Sequence, residues 1–167
     1  MSEPLVHSTG FDIGEALDVA AVAQCRELFV EYRQGLAVSL CFQQFDRELD
    51  SLPGDYARPR GRLLLARVAG EPAGCVALRP LAPGVAEMKR LYVRADYRGM
   101  RLGRTLAECV IDEARALGYR TLKLDTLPGM RDAQRLYAEL GFVETAAYND
   151  NPVDGVRFLA LALAPSA

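Results

Sequence analysis

The sequence predicts an α+β fold, a mixed sheet flanked by helices, and three observations carry that prediction. Apolar residues recur at helical spacing in four separate stretches, short runs of strand formers lie between them, and Gly or Pro punctuates most changes of pattern. The order is two helices, three strands, a helix, a strand, a helix and two last strands, with no internal repeat or low-complexity stretch. With 167 residues, 50% of them hydrophobic and 25% charged, the chain reads as one globular domain spanning residues 1–167.

The first helix is expected over 13–33, where Ala16, Leu17, Val19, Ala20, Val22, Ala23, Leu28, Phe29 and Tyr32 recur between acids and arginines. Phe42, Phe45, Leu49 and Leu52 give the stripe of a second, shorter helix that Pro53-Gly54 ends, with a loop over 55–61. Runs 63–68 and 74–78 form a hairpin about the turn residues Gly70, Glu71 and Pro72. After a turn at 80–84, residues 85–94 are rich in strand formers and read as a central strand. Leu102, Leu106, Val110, Ala114 and Leu117 lie on one face of a helix over 102–117, which Gly118 stops. A strand at 121–127, a helix at 132–140 ended by Gly141, and strands at 142–148 and 156–163 complete the chain.

Charge and composition exclude several classes. The 20 basic and 22 acidic residues give a net charge of −2, so no field over the whole chain points to nucleic acid or an anionic membrane. Any anion site must be local, and all the basic residues except Lys89 and Lys123 are arginine. Cys25, Cys41, Cys75 and Cys109 form no CxxC pair and read as buried free thiols. A single histidine, His7, leaves no His-rich metal site, and no metal is expected. The N-terminal residues lack a signal pattern and the longest uncharged run, 34–45, is too short and polar to span a bilayer, so a cytoplasmic location is expected.

The informative stretch is EMKRLYVRADYRGMRLGR at 87–104, a strand running into a loop with Arg98, Gly99, Arg101, Gly103 and Arg104 that opens a helix. Free N–H groups at a helix start form an anion site, glycines let a ligand approach, and arginines add charge-assisted hydrogen bonds, a combination suited to a pyrophosphate. A P-loop would need Gly-Lys-Ser/Thr, and no lysine stands here; a dinucleotide fingerprint would need GxGxxG, and Gly99 and Gly103 give only GxxxG.

Arg98-Gly99-Met100-Arg101-Leu102-Gly103 resembles the R/Q-x-x-G-x-G/A motif of the GNAT superfamily of acyl-CoA-dependent N-acyltransferases. Ala133, Leu136, Tyr137, Gly141 and Phe142 resemble its second motif, A-x-x-L-Y-x-x-x-G-F, and together the two cover about residues 85 to 145. Two positions depart from the pattern: Arg101 stands at the middle glycine, where a negative φ would leave its N–H available, and Met130 replaces an asparagine.

The resemblance implies the GNAT fold, with a mostly antiparallel sheet of six or seven strands, and transfer of an acetyl group from acetyl-CoA to a primary amine by direct attack. Leu91, Tyr92, Val93, Arg98, Gly99, Met100, Arg101, Leu102, Gly103 and Arg104 would then hold the cofactor, the backbone at Leu91 to Val93 polarising the thioester carbonyl. Tyr137 is implied as general acid toward the thiolate, since a phenol of pKa about 10 can protonate a thiolate of pKa about 8–9. Glu87 is the candidate base, or else a structural partner of Lys89 or an arginine; period-two counting puts Glu87, Lys89, Leu91 and Val93 on one face.

The resemblance also implies an acceptor pocket built from the first two helices, the central strand and the loop between the last two strands, which here offer Glu31, Tyr32, Gln43, Gln44, Phe45 and Tyr148 with the segment 149–152. A small-molecule amine leads, with a protein or peptide N-acetyltransferase and a non-catalytic acyl-CoA-binding module as alternatives. An open groove beside the central strand would favour a protein substrate, and a closed pocket roofed by residues 52–61 a small one. Neither nucleic acid nor a membrane is an expected partner, and a homodimer is an assembly the sequence leaves open.

Overall fold

The structure is a computed structural model and describes residues 4–7, 10–36 and 44–165. Eight strands form one sheet in the order β1-β2-β3-β4-β5-β6-β8-β7. They are β1 (Val6–His7), β2 (Asp12–Glu15), β3 (Arg62–Val68), β4 (Glu71–Ala82), β5 (Val85–Val93), β6 (Thr121–Thr126), β7 (Val143–Glu144) and β8 (Arg157–Ala162). All neighbours pair antiparallel except β5 and β6, which are parallel. The α-helices among the described residues are α1 (Val19–Gln34), α2 (Phe45–Ser51), α3 (Leu102–Ala116) and α4 (Arg131–Glu139).

Helices cover both faces of the sheet. Cys25, Leu28 and Phe29 of α1 and Phe45 and Leu49 of α2 pack with Leu63, Leu65, Cys75 and Ala77 on one side. On the other, Leu102, Leu106, Val110 and Ala114 of α3 and Tyr137 of α4 pack with Leu64, Val76, Leu78, Met88, Leu122 and Leu124. Consecutive strand residues thus feed opposite cores, which is why these strands read as unbroken apolar runs.

The main departure from the sequence expectation is at the start. Residues 13–33 do not form one helix: Ile13 lies in β2, fully buried, and the helix begins only at Val19, where the Asp18 carboxylate caps the N–H of Ala21 at 2.8 Å. A four-residue strand whose apolar residue lies in phase with the following helix does not stand out from it by periodicity. This hairpin of β1 and β2 takes the sheet beyond six or seven strands. β4 is longer than its expected core of 74–78, because the turn is confined to Pro83 and Gly84, with Gly84 at φ +75°. The predicted strand at 142–148 shrinks to the two residues of β7.

Candidate active site

β5 carries the local irregularity on which the site depends. Opposite it on β4, Cys75 pairs with Tyr92 and Ala77 with Lys89, so Arg90 and Leu91 face Val76 alone in a β-bulge. Arg90 occupies the left-handed region at φ +62°, which costs a non-glycine residue roughly 1–2 kcal/mol. It is held there on several sides. Its guanidinium makes a two-point ion pair with Glu48 of α2, at 2.8 and 3.0 Å, and lies 4.9 Å from the Phe45 ring centroid and 5.9 Å from that of Tyr32. The Cys75 thiol donates to the Arg90 carbonyl at 3.4 Å.

The bulge resets the alternation of the strand. Glu87, Lys89, Leu91 and Val93 do not share a face: Glu87 and Arg90 make their contacts on the α1 and α2 side, while Leu91 and Val93 pack toward α3 with Ala86 and Met88. The extra residue at Arg90 is the reason, and simple period-two counting has no means of seeing it.

Beyond Glu87 the sheet opens. β5 pairs with β6 only through Val85, Ala86 and Glu87, opposite Thr121, Leu122 and Lys123. The N–H of Arg94 donates to Ala73 of the β4 side at 2.8 Å, so by alternation Tyr92 also points there, and the N–H groups of Leu91 and Val93 point into the gap.

A groove of about 340 Å³ runs from this gap to the start of α3. Leu91, Tyr92, Val93, Arg98, Gly99, Arg101, Leu102 and Gly103, all named from the sequence, line it together with Tyr97, Asp132, Ala133 and Leu136. Gly99 has φ +90°, and Arg101 at the helix N-cap has φ +61°, a positive value where a negative one was expected. The arginine thus keeps the backbone shape natural to the glycine it replaces, with its side chain exposed to solvent. No side chain of the described residues caps α3, and its first helical bond is Thr105 N–H to Arg101 O, which leaves the N–H groups of Leu102, Gly103 and Arg104 for an anion. Arg98 ties the loop back by donating to the Val93 carbonyl at 3.1 Å. Met100 is exposed and Arg104 pairs with Glu108 and Glu139, so both flank the groove. An uncapped helix start, a glycine at positive φ and a slot in a sheet together fit a nucleotide pyrophosphate followed by a narrow extended chain.

At its inner end lies a pocket of about 50 Å³ lined by residues of both sheet halves, among them Tyr32, Lys89, Leu91, Asp125, Met130 and Tyr137. Tyr137 is buried, packs edge-on against Phe142 at 5.7 Å, and makes no hydrogen bond through its hydroxyl to any described residue. Burial raises its pKa, with the charge of Asp125 adding to the effect.

On the α1 and α2 side the predicted acceptor residues come together in part. Glu87 is fully buried, with one carboxylate oxygen 2.8 Å from Arg79 Nε and the other accepting from the Tyr148 hydroxyl at 2.6 Å. Tyr148 stacks edge-on against Phe158, with Lys123 Nζ 5.6 Å from its ring centroid. Glu31 pairs with Arg94 at 2.6 Å, which lowers the Glu31 pKa, and Tyr32 packs against Tyr92. Gln44, Arg47, Pro53, Asp55, Tyr56 and Arg79 border a cleft of about 520 Å³ whose wall includes Glu48, the partner of Arg90. Phe45 lies under Arg90, and Gln43 falls outside the described residues.

Residues 22–142 match the sequence profile of the acetyltransferase (GNAT) family. The chain belongs to that family. An uncharacterized N-acetyltransferase of Schizosaccharomyces pombe is 42% identical over 136 residues, 80% of this chain and 83% of the relative. An uncharacterized N-acetyltransferase of Escherichia coli, YjgM, is 29% identical over 75% of this chain and 76% of its own length. Among solved structures, an acetyltransferase from Streptococcus agalactiae superposes with a TM-score of 0.77 at 24% identity, over 93% of this chain and 100% of the other. As a GNAT protein the chain is an acyl-CoA-dependent N-acetyltransferase that takes acetyl-CoA as donor and an amine as acceptor. The fold is that of the family, and no helix among the described residues is long and apolar enough to cross a membrane.

Arg90, Glu48 and Asp125 line these cavities without having been singled out from the sequence as candidates. An arginine destined for burial looks like any other in a sequence. Lys123 and Asp125, alternating with Leu122 and Leu124 on a core strand, are the one signal available: a strand in the middle of the sheet with polar residues on one face is lining something.

Proposed function

We propose that this enzyme acetylates the primary amine of a small molecule, with acceptor and acetyl-CoA held together and no covalent enzyme intermediate. The observation that carries the reading is the junction of the donor groove with a small pocket of about 50 Å³, lined by Tyr32, Arg90 and Asn151 among others. The neighbouring cleft, walled by α2 and the segment holding Pro53 and Tyr56, supports a compact acceptor over an extended polypeptide.

Bound acetyl-CoA supplies an acetyl thioester. The N–H of Leu91, at the inner pocket, is the donor toward its carbonyl oxygen, while that of Val93, about two strand residues further along the groove, faces the extended chain of the donor. The Tyr137 hydroxyl, which bonds to no described residue and is kept protonated by burial, serves as the acid toward the departing sulfur. Arg98 to Arg104 hold the pyrophosphate through the backbone at the start of α3. Glu87, with both oxygens engaged, anchors Arg79 and Tyr148 on the acceptor side and does not itself take the proton. The three described cysteines take no part: Cys25, Cys75 and Cys109 are buried away from any histidine, and burial raises their pKa values.

Calorimetry with acetyl-CoA, followed by thiol-release assays on a panel of small primary amines and a panel of peptides, tests the reading. Turnover of small amines with a saturable KM is the expected result. Activity confined to peptides would overturn the acceptor assignment, and absence of acetyl-CoA binding would overturn the donor site.

A further inference from the structure

We propose that Asp125 is the residue that binds the acceptor's ammonium group and takes its proton; this rests on the primary-amine reading above. Asp125 is the one carboxylate among the residues that line the pocket, and three on the acceptor side are already neutralised. Glu31 is paired with Arg94, Glu48 with Arg90 and Glu87 with Arg79, at 2.6, 2.8 and 2.8 Å. Asp125 has no Lys, Arg or His nitrogen of the described residues within 4.0 Å, Lys89 included, although Lys89 lines the same pocket. It is a carboxylate with no direct ion-pair partner among the described residues, in a pocket where Lys89 acts on it through its field alone.

Its hydrogen bonding leaves one oxygen available. Oδ2 accepts from the side-chain amides of Asn149 and Asn151, at 3.0 and 3.3 Å, while Oδ1 accepts from no described residue. The two amides, both neutral donors on the loop between β7 and β8, fix the carboxylate without quenching its charge. Asp125 stands on β6 and Leu91 on β5, on opposite sides of the sheet opening, and Tyr137 lines the same pocket. The negative charge is near enough to the Tyr32 and Tyr137 hydroxyls to help raise both pKa values. A base and an acid thus share a pocket that admits little beyond the reacting atoms.

The proton balance closes with these groups. An N–H bond of the ammonium breaks and an O–H bond forms on Oδ1, leaving the nitrogen lone pair free. That pair forms the C–N bond to the acetyl carbon as the C–S bond breaks, and the sulfur takes the Tyr137 proton. The nitrogen sheds a second proton, which restores Tyr137, and Asp125 returns its own to water, so one proton is released per turnover.

Two small probes separate a base from a loop anchor. Ethylamine is almost wholly protonated at neutral pH, whereas 2,2,2-trifluoroethylamine, whose fluorines withdraw electron density, is mostly free base. Wild type, Asp125→Asn and Asp125→Ala are compared by melting temperature, acetyl-CoA affinity and kcat/KM for each amine. Both variants are expected to fold and to bind acetyl-CoA as wild type does. They should lose roughly 10²–10⁴-fold with ethylamine and less than about tenfold with trifluoroethylamine. Equal losses with the two amines, or none, would overturn the role, since an anchor does not distinguish them. Should wild type bind acetyl-CoA yet turn over neither probe, the primary-amine reading itself falls.

Discussion

Tyr137 shows how one residue's surroundings set its chemistry. The ring is buried under α4 against Phe142, and loss of solvation raises the phenol's pKa, so the protonated form that a general acid requires persists far into the alkaline range. Tyr137→Phe keeps the packing and removes only the donor. The expected result is a fall in kcat of at least about 10²-fold with acetyl-CoA affinity unchanged, read from steady-state kinetics and calorimetry. Unchanged turnover, or a loss accounted for by weaker donor binding, would remove the role. Arg90 makes the complementary point. Its left-handed backbone is unfavourable, and the side-chain ion pair and flanking rings, not the local sequence, hold it in place.

At the scale of elements, the start of α3 carries a cost that a single change relieves. Arg101 adopts φ +61° with no bond from its side chain to the helix end, so Arg101→Gly removes strain of roughly 1–2 kcal/mol and adds back about 0.4–1 kcal/mol of unfolded-chain entropy. The melting temperature should hold or rise slightly, and acetyl-CoA affinity should stay close to wild type; a marked loss of affinity would mean that the arginine side chain reaches the ligand. The strand, basic loop and helix around Arg101 were legible in the sequence because turn residues and helix periodicity are local signals. The N-terminal hairpin was not, since four residues of β2 merge into the periodicity of α1. Nor was the bulge, which arises from how β5 meets β4, or the bond from Tyr148 to Glu87, which joins segments 61 residues apart; an arginine partner for Glu87 was among the readings the sequence offered, and Arg79 stands directly opposite it in the hairpin. Asp125 became visible as a site residue only when the sheet opening placed β6 against the donor groove.

For the molecule as a whole, the two cores on either side of the sheet set its response to alkali. Burial pushes the Cys25 thiol up to about 12 and Cys109 up to about 11, against about 8.5 in an unfolded chain. An acid whose pKa is raised by folding contributes its stability below the unfolded value and loses it as pH climbs toward the folded one. The melting temperature should therefore decline from about pH 8.5 upward, more shallowly in Cys25→Ala, with catalysis intact in that variant. The sheet has a further consequence at this scale. Five antiparallel strands and the three-stranded group β6-β8-β7 meet through only three paired positions at one end of a seam. Along the rest of that seam the backbone protons of Leu91 and Val93 have no strand opposite them, so in deuterium exchange they should trade rapidly in the free protein. Acetyl-CoA, by taking the place of the missing strand, should slow both, while amides in β3, already laddered on two sides, keep their rates. Equal exchange with and without the donor would mean that the seam is not where it lies.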